Sequence, residues 1–257
     1  MSKTVIDTNV ALQHKLLRMG DNTLILGQRI SEWCGHAPVL EEDIAMANVA
    51  LDLIGQTQFW LGLAAELKGE GKTADDLAYL RDSPEIYNFL LVELPNGDYA
   101  QTLTRQFFFD AWHFLQLRAL MDSSNQEIAD IAAKAFKEVS YQLERTTDLF
   151  VRLGDGTDES NARMQKAVDY LWSYTGEMFT NDDYDEALAE AGIAPLPESL
   201  REEWLAYVSA KMKEAALAIP ASTYMHKGGR QGRHTEYIGF ILAEMQFLQR
   251  AYPGCTW

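Results

Sequence analysis

The side chains in this chain that could bind a redox metal are its five histidines and 38 acidic residues, and their spacing decides whether they do. Di-iron centres in long helical bundles take one Glu from each of two helices and a Glu-x-x-His turn from each of two others. The i, i+3 interval is needed because it stacks both ligands on one helix face, one turn apart. No Glu-x-x-His occurs here. The residues three before each histidine are Ala11 (His14), Trp33 (His36), Asp110 (His113), Thr223 (His226) and Gln231 (His234). Only Asp110-Ala-Trp-His113 carries a carboxylate, and one half-motif cannot hold two metal ions. The residues alone therefore favour Asp110 and His113 as a buried polar pair that hydrogen-bonds across helices and fixes their register. Glu138 reads as a surface or second-layer acid. Asp52, one residue off its helix's apolar seam, reads as partly buried against a cationic or backbone partner. The competing reading is a di-iron oxygenase or oxidase site built from Asp52, Asp110, His113 and Glu138.

Other chemistries find less support. Cys34 and Cys255 stand far apart with no C-x-x-C spacing, which argues against a disulfide framework or a thiolate metal site and fits a reducing cytoplasm. No Gly-x-Ser-x-Gly elbow or Cys-His nucleophile pattern is present. Met225–His234 gathers Lys227, Arg230 and Arg233 around Gly228 and Gly229, ends on His234, and contains no acid. It lacks the order of a phosphate-binding P-loop. A solvated loop that docks on a neighbouring subunit is the favoured reading, with contact to an anion as the alternative.

The elements that must position these residues are helices. Leu12, Leu16, Met19, Thr23, Leu26, Ile30 and Trp33 follow the 4-3-4-3 spacing of a bundle seam, ended by Gly35 and Pro38. A second helix, over about 41–68, starts with three acids and is given the seam Ile44, Ala47, Leu51, Ile54, Gln58, Leu61 and Ala65. A third reads Leu103, Phe107, Asp110, Phe114, Leu117 and Met121, which puts a carboxylate on the seam. The fourth, over about 126–153, offers two stripes, one through Ile128, Ile131, Ala135, Glu138 and Gln142, the other through Ala132, Phe136, Val139, Leu143 and Phe150. Phe107, Phe108, Phe109 and Trp112 point in nearly every direction around one helix, so some must meet a second helix layer or another chain. Further helices flank these. The fold class is all-α, expected as one domain with a bundle core over about 8–153 and flanking elements over about 158–257.

A net charge of −16 repels nucleic-acid phosphates and anionic lipid. No apolar run reaches the length of a membrane span, and Met1–Gln13 has no signal-peptide character. The expectation is a cytoplasmic protein that contacts neither membrane nor nucleic acid.

Three stretches closely resemble one family: LILGQRISEWCGHAP (24–38), FFFDAWH (107–113) and GGRQGRHTEYIGFILAEMQFLQR (228–250). The chain is similar, from about Leu17 to Trp257, to the structural C subunits of bacterial multicomponent phenylacetyl-CoA oxygenases, the ring-1,2-phenylacetyl-CoA epoxidases. The resemblance implies a ferritin-like four-helix core and no cofactor in this chain. It also implies a homologous catalytic partner that carries the di-iron centre, and further complex subunits that include a reductase. Hetero-oligomer is the implied state, with a homodimer in isolation or a standalone ferritin-like binding protein as alternatives. The windows equivalent to the catalytic relative's Glu-x-x-His turns read Asp52-Leu-Ile-Gly55 and either Glu138-Val-Ser-Tyr141 or Val139-Ser-Tyr-Gln142. On the first helix the ligand position falls on Gln28 or Glu32. In the resemblance the 225–234 loop could contact CoA phosphates.

Overall fold

The computed structural model describes residues 6–221 and 224–255, so Met1–Val5 of the N-terminal segment read above lie outside it. All regular structure among the described residues is helical: α1 (Thr8–Ser31), α2 (Leu40–Lys68), α3 (Ala74–Tyr79), α4 (Leu90–Glu93), α5 (Tyr99–Leu120), α6 (Gln126–Gly154), α7 (Asp158–Leu171), α8 (Asp183–Glu190), α9 (Arg201–Glu214), α10 (Tyr237–Met245) and α11 (Phe247–Ala251), with short 3-10 turns between some of them. The chain clusters into two compact units. One comprises Asn9–Pro95 and the C-terminal stretch from Lys227; the other comprises Asn96–His226. The reason is local. The irregular 72–95 segment and the C-terminal return both fold back on α1, whereas α7 and α9 pack on α5 and α6.

In the first unit α1 and α2 approach closely. A methyl group added at Gly20 would overlap Leu61, and the Thr23 and Thr57 hydroxyls meet at 2.8 Å. The α1 seam is buried from Leu12 through Ile30. The α2 seam requires correction. Ile44, Leu51 and Ile54 face solvent, and the buried stripe is Met46, Val49, Leu53, Gln56, Trp60 and Ala64. Apolar residues occur on both sides of this helix, so periodicity alone fits either stripe.

This unit is stitched by buried ions. Asp21 of α1 pairs with Arg81 and also accepts the Tyr87 backbone N–H at 2.8 Å. Glu93 has no solvent exposure and accepts four bonds: from Asn88 Nδ2 (2.9 Å), His234 Nδ1 (2.7 Å), the Thr235 backbone N–H (2.6 Å) and the Thr235 hydroxyl (2.7 Å). Burial pulls the His234 pKa down, but the hydrogen bond and charge of Glu93 and the Ile86 carbonyl outweigh it and hold the pKa above its ordinary value. As an imidazolium the ring donates through Nδ1 to Glu93 and through Nε2 to Ile86 O at 2.8 Å. The segment before α4 and a loop far along the chain thus converge on one carboxylate.

In the second unit α5 is buried on nearly every side. Phe107 stacks on Phe150 of α6 at 4.3 Å, and Phe108 sits edge-on to Trp172 and to Trp204 of α9. Trp204 Nε1 donates to the Phe108 carbonyl at 3.1 Å. The aromatic run is therefore absorbed by a second helix layer within this chain. The α6 seam is Ile128, Ala132, Ala135, Val139, Gln142, Thr146 and Phe150, a stripe that runs between the two read from the sequence.

Removing one partner from a buried ion pair strands the other, which costs about 3–5 kcal/mol. Glu93→Gln is expected to lower stability by that order in urea unfolding. His234→Gln added to it should cost much less than it does alone, because the bond is already lost. Additive losses would contradict the hub.

Candidate functional site

The polar side chains closest to a metal-site pattern lie on α5. Asp110 has no solvent exposure; Gln106 Nε2, one turn earlier, donates to its Oδ1 at 2.6 Å, and Thr146 Oγ1 of α6 lies 3.0 Å from its Oδ2. Burial pushes the Asp110 pKa up to about 7, against the opposing pull of Thr146, Gln106 and the Arg145 charge. The Thr146 hydroxyl donates to Asp110 Oδ2 and also lies 3.0 Å from the Gln142 carbonyl of its own helix. His113 is equally buried. Its ring packs against Phe109 and Trp112 at 5.1 and 5.9 Å, and neither ring nitrogen has a hydrogen-bond partner among the described residues. Desolvation lowers its pKa to about 3, so the imidazole is neutral. Asp110 and His113 are thus one turn apart but not bonded to each other; Asp110 spends both oxygens on neighbours.

The i, i+3 windows can be placed by burial. On α6, Val139 and Gln142 are fully buried, Glu138 is partly exposed, and Tyr141 is 65% exposed. On α2, the inward i, i+3 pair is Leu53 and Gln56, while Asp52 and Gly55 stand one residue round the helix on a partly exposed side. The buried i, i+3 pair on α2 is thus Leu53 and Gln56, one residue on from Asp52 and Gly55. The signal missed is Gln56, a polar residue on the buried stripe that becomes visible only once that stripe is assigned correctly. On α1, Gln28 is partly buried, and Glu32 is exposed and bonded to Arg29 at 3.0 Å.

Both buried i, i+3 pairs, Leu53 with Gln56 and Val139 with Gln142, join an aliphatic side chain to a carboxamide, so neither offers a carboxylate or an imidazole. A carboxamide is a poor substitute for either, because iron sites draw on anionic oxygen and imidazole nitrogen. Among the described residues no group of three or more His, Cys, Asp or Glu side chains could hold a metal ion. The donor set does not fit a di-iron centre.

The 228–234 loop is taken up inside its own unit. Gly229 rests so close to the Asn88 carbonyl, and Gly232 to that of Pro84, that a Cβ at either would overlap the oxygen. Gly228 and Arg230 are buried, Arg18 Nη2 donates to the Arg230 carbonyl at 3.3 Å, and the His234 ring is held by Glu93. The expectation of a solvated loop is corrected for Gly228, Gly229, Arg230 and His234. Of the contacts expected from the sequence, Lys227 and Arg233 face solvent. Close approach of backbone to backbone, not a ligand, accounts for the glycines here. A cleft of about 690 Å³ opens among α5, α6 and α9, over Leu115, Leu143 and Thr147, and contains none of the predicted site residues.

No helix among the described residues is long and apolar enough to cross a membrane. A family model described as "Phenylacetic acid catabolic protein" matches residues 2–257. A relative from Escherichia coli (strain K12), the C subunit of 1,2-phenylacetyl-CoA epoxidase, is 50% identical over 241 residues, which covers 94% of this chain and 97% of that protein.

The two buried groups make opposite demands on pH. Folded Asp110 keeps a proton that the unfolded chain, with its ordinary pKa of 3.8, releases, so its contribution favours the fold in acid and fades up to about pH 7. Folded His113 excludes a proton that the unfolded chain takes up below its ordinary 6.5, so its contribution is lost as pH falls towards about 3. Across the overlap, from about pH 4 to 6.5, the two offset. Asp110→Asn should therefore lose stability on acidification through this window more steeply than the parent chain, and His113→Gln less steeply, as read from urea midpoints. Superimposable profiles would contradict the assignment.

Proposed function

The chain belongs to the phenylacetic acid catabolic protein family, and we propose that it serves as the non-catalytic structural subunit of a phenylacetyl-CoA 1,2-epoxidase complex, in which a homologous chain carries the di-iron centre. The fold is all-α and ferritin-like. The observation that carries the proposal is the chemistry of the inward-facing polar positions. Leu53 and Gln56, and Val139 and Gln142, stand in place of two Glu-x-x-His turns, and Asp110 is bound to Gln106 and Thr146. Asp110 is taken up by Gln106 and Thr146, and the buried i, i+3 pairs of α2 and α6 offer carboxamides, so this chain contributes a rigid body and a surface.

In this reading the ring oxidation uses dioxygen and electrons delivered by a reductase subunit, and substrate and iron sit in the partner. The present chain keeps the partner assembled in its competent form. Reconstitution tests this. The purified chain alone should turn over no phenylacetyl-CoA, a mixture of this chain with the catalytic homologue, reductase and remaining subunits should be active, and omission of this chain should abolish that activity. Turnover by the isolated chain, or full activity without it, would sink the proposal.

A further inference from the structure

The outward face of α2 leaves large apolar side chains exposed. Ile44, Leu51 and Phe59 are 55%, 65% and 40% exposed, and Leu40 and Ile54 are exposed beside them. Gly55 and Gly62 lie seven residues apart along this face, and no atom comes within 4 Å of where a Cβ would stand on either. Asn48 is exposed on the same line, one heptad before Gly55. From Ile44 to Gly62 the stripe runs about 27 Å at 1.5 Å per residue. Large apolar residues beside glycines let another helix approach closely and interlock over several turns, and a polar Asn on such a seam restricts register and partner. The face is a bundle seam without its second helix.

Charge says which kind of helix. The ionisable residues on or beside the stripe are Glu41, Asp52 and Glu66, and α2 contains no Lys or Arg before Lys68. A second copy of this chain would bring its own acids against these, on top of a net charge of −16 per chain. From this we infer that the α2 outward face docks a different chain, one that presents an apolar helix flanked by lysine or arginine residues. This rests on the subunit reading above and assigns its contact surface.

The test uses the full chain and the homologous catalytic chain as probe, with affinity measured by sedimentation or calorimetry. Leu51→Glu and Gly55→Leu, at positions on the outward face, should leave the circular dichroism spectrum intact and the melting temperature no lower, while weakening binding at least about tenfold. Phe240→Glu, on an exposed apolar position of α10, is the control and should bind as the parent does. Raising salt from about 0.05 to 0.5 M should weaken parent binding, and Glu41→Lys with Glu66→Lys should weaken it further at low salt. Parent binding that the α2 variants leave intact would overturn the surface while the subunit reading stands. No parent binding would overturn both. Self-association abolished by Leu51→Glu would overturn the choice of occupant.

Discussion

A carboxyl and an imidazole without solvent contact must be paired with opposite charge or carried neutral, because an isolated buried charge costs more than a fold of this size can spare. His113 is carried neutral, and burial raises the Asp110 pKa to about 7, so that its proton is kept below that pH. The consequences spread through α5 and α6. Asp110 accepts from Gln106 on its own helix and from Thr146 on the next, and the Thr146 hydroxyl also reaches the α6 backbone at Gln142. The register of the two longest helices of that unit is thereby set by one acid, and the aromatic layer of Phe107, Phe108, Phe150 and Trp204 packs around a fixed geometry. Two iron ions held in such a place would need several anionic ligands, and the amides and hydroxyls around Asp110 provide none.

The other unit takes the opposite solution. Asp21 with Arg81 is a buried ion pair, and Glu93, whose charge raises the His234 pKa, is hydrogen-bonded to that ring; both are held by further hydrogen bonds. Such pairs contribute little net stability, but they specify: each tolerates one arrangement and strands a charge in any other. They tie together segments 60 and 141 residues apart in the chain, where an apolar contact would allow sliding. Glycines at 229 and 232 belong to the same device, since they let the C-terminal loop press its backbone against Asn88 and Pro84.

How far the sequence reveals this differs from element to element. The α1 and α5 seams are legible because Leu12, Leu16, Met19, Thr23, Leu26 and Ile30, and Leu103, Phe107, Asp110 and Leu117, recur at bundle spacing and are buried, although both helices are buried on other sides as well, and the lack of any Glu-x-x-His turn is a direct reading. On α2 both faces are apolar, one for the core and one for solvent, and only the fold separates Met46, Val49 and Leu53 from Ile44, Leu51 and Ile54. That ambiguity leads the reading of the sequence to Asp52 and Gly55, where the buried pair is Leu53 and Gln56. On α6 the buried stripe takes residues from both candidate stripes, because Gln142 and Thr146 are polar residues in the core. The 228–234 loop looks solvated because its composition is glycine and cation, and the groups that bury it are distant in sequence. Resemblance to a family identifies the chain's relatives, and the side-chain environment shows which donors stand at its buried positions.

The account stands or falls on whether this core binds iron. Anaerobic titration of the purified chain with ferrous ion, followed calorimetrically and by the metal retained after gel filtration, tests it most directly. The account predicts no stoichiometric binding, with the parent and Asp110→Asn chains alike. Retention of two irons per chain, reduced in Asp110→Asn or His113→Gln, would contradict it.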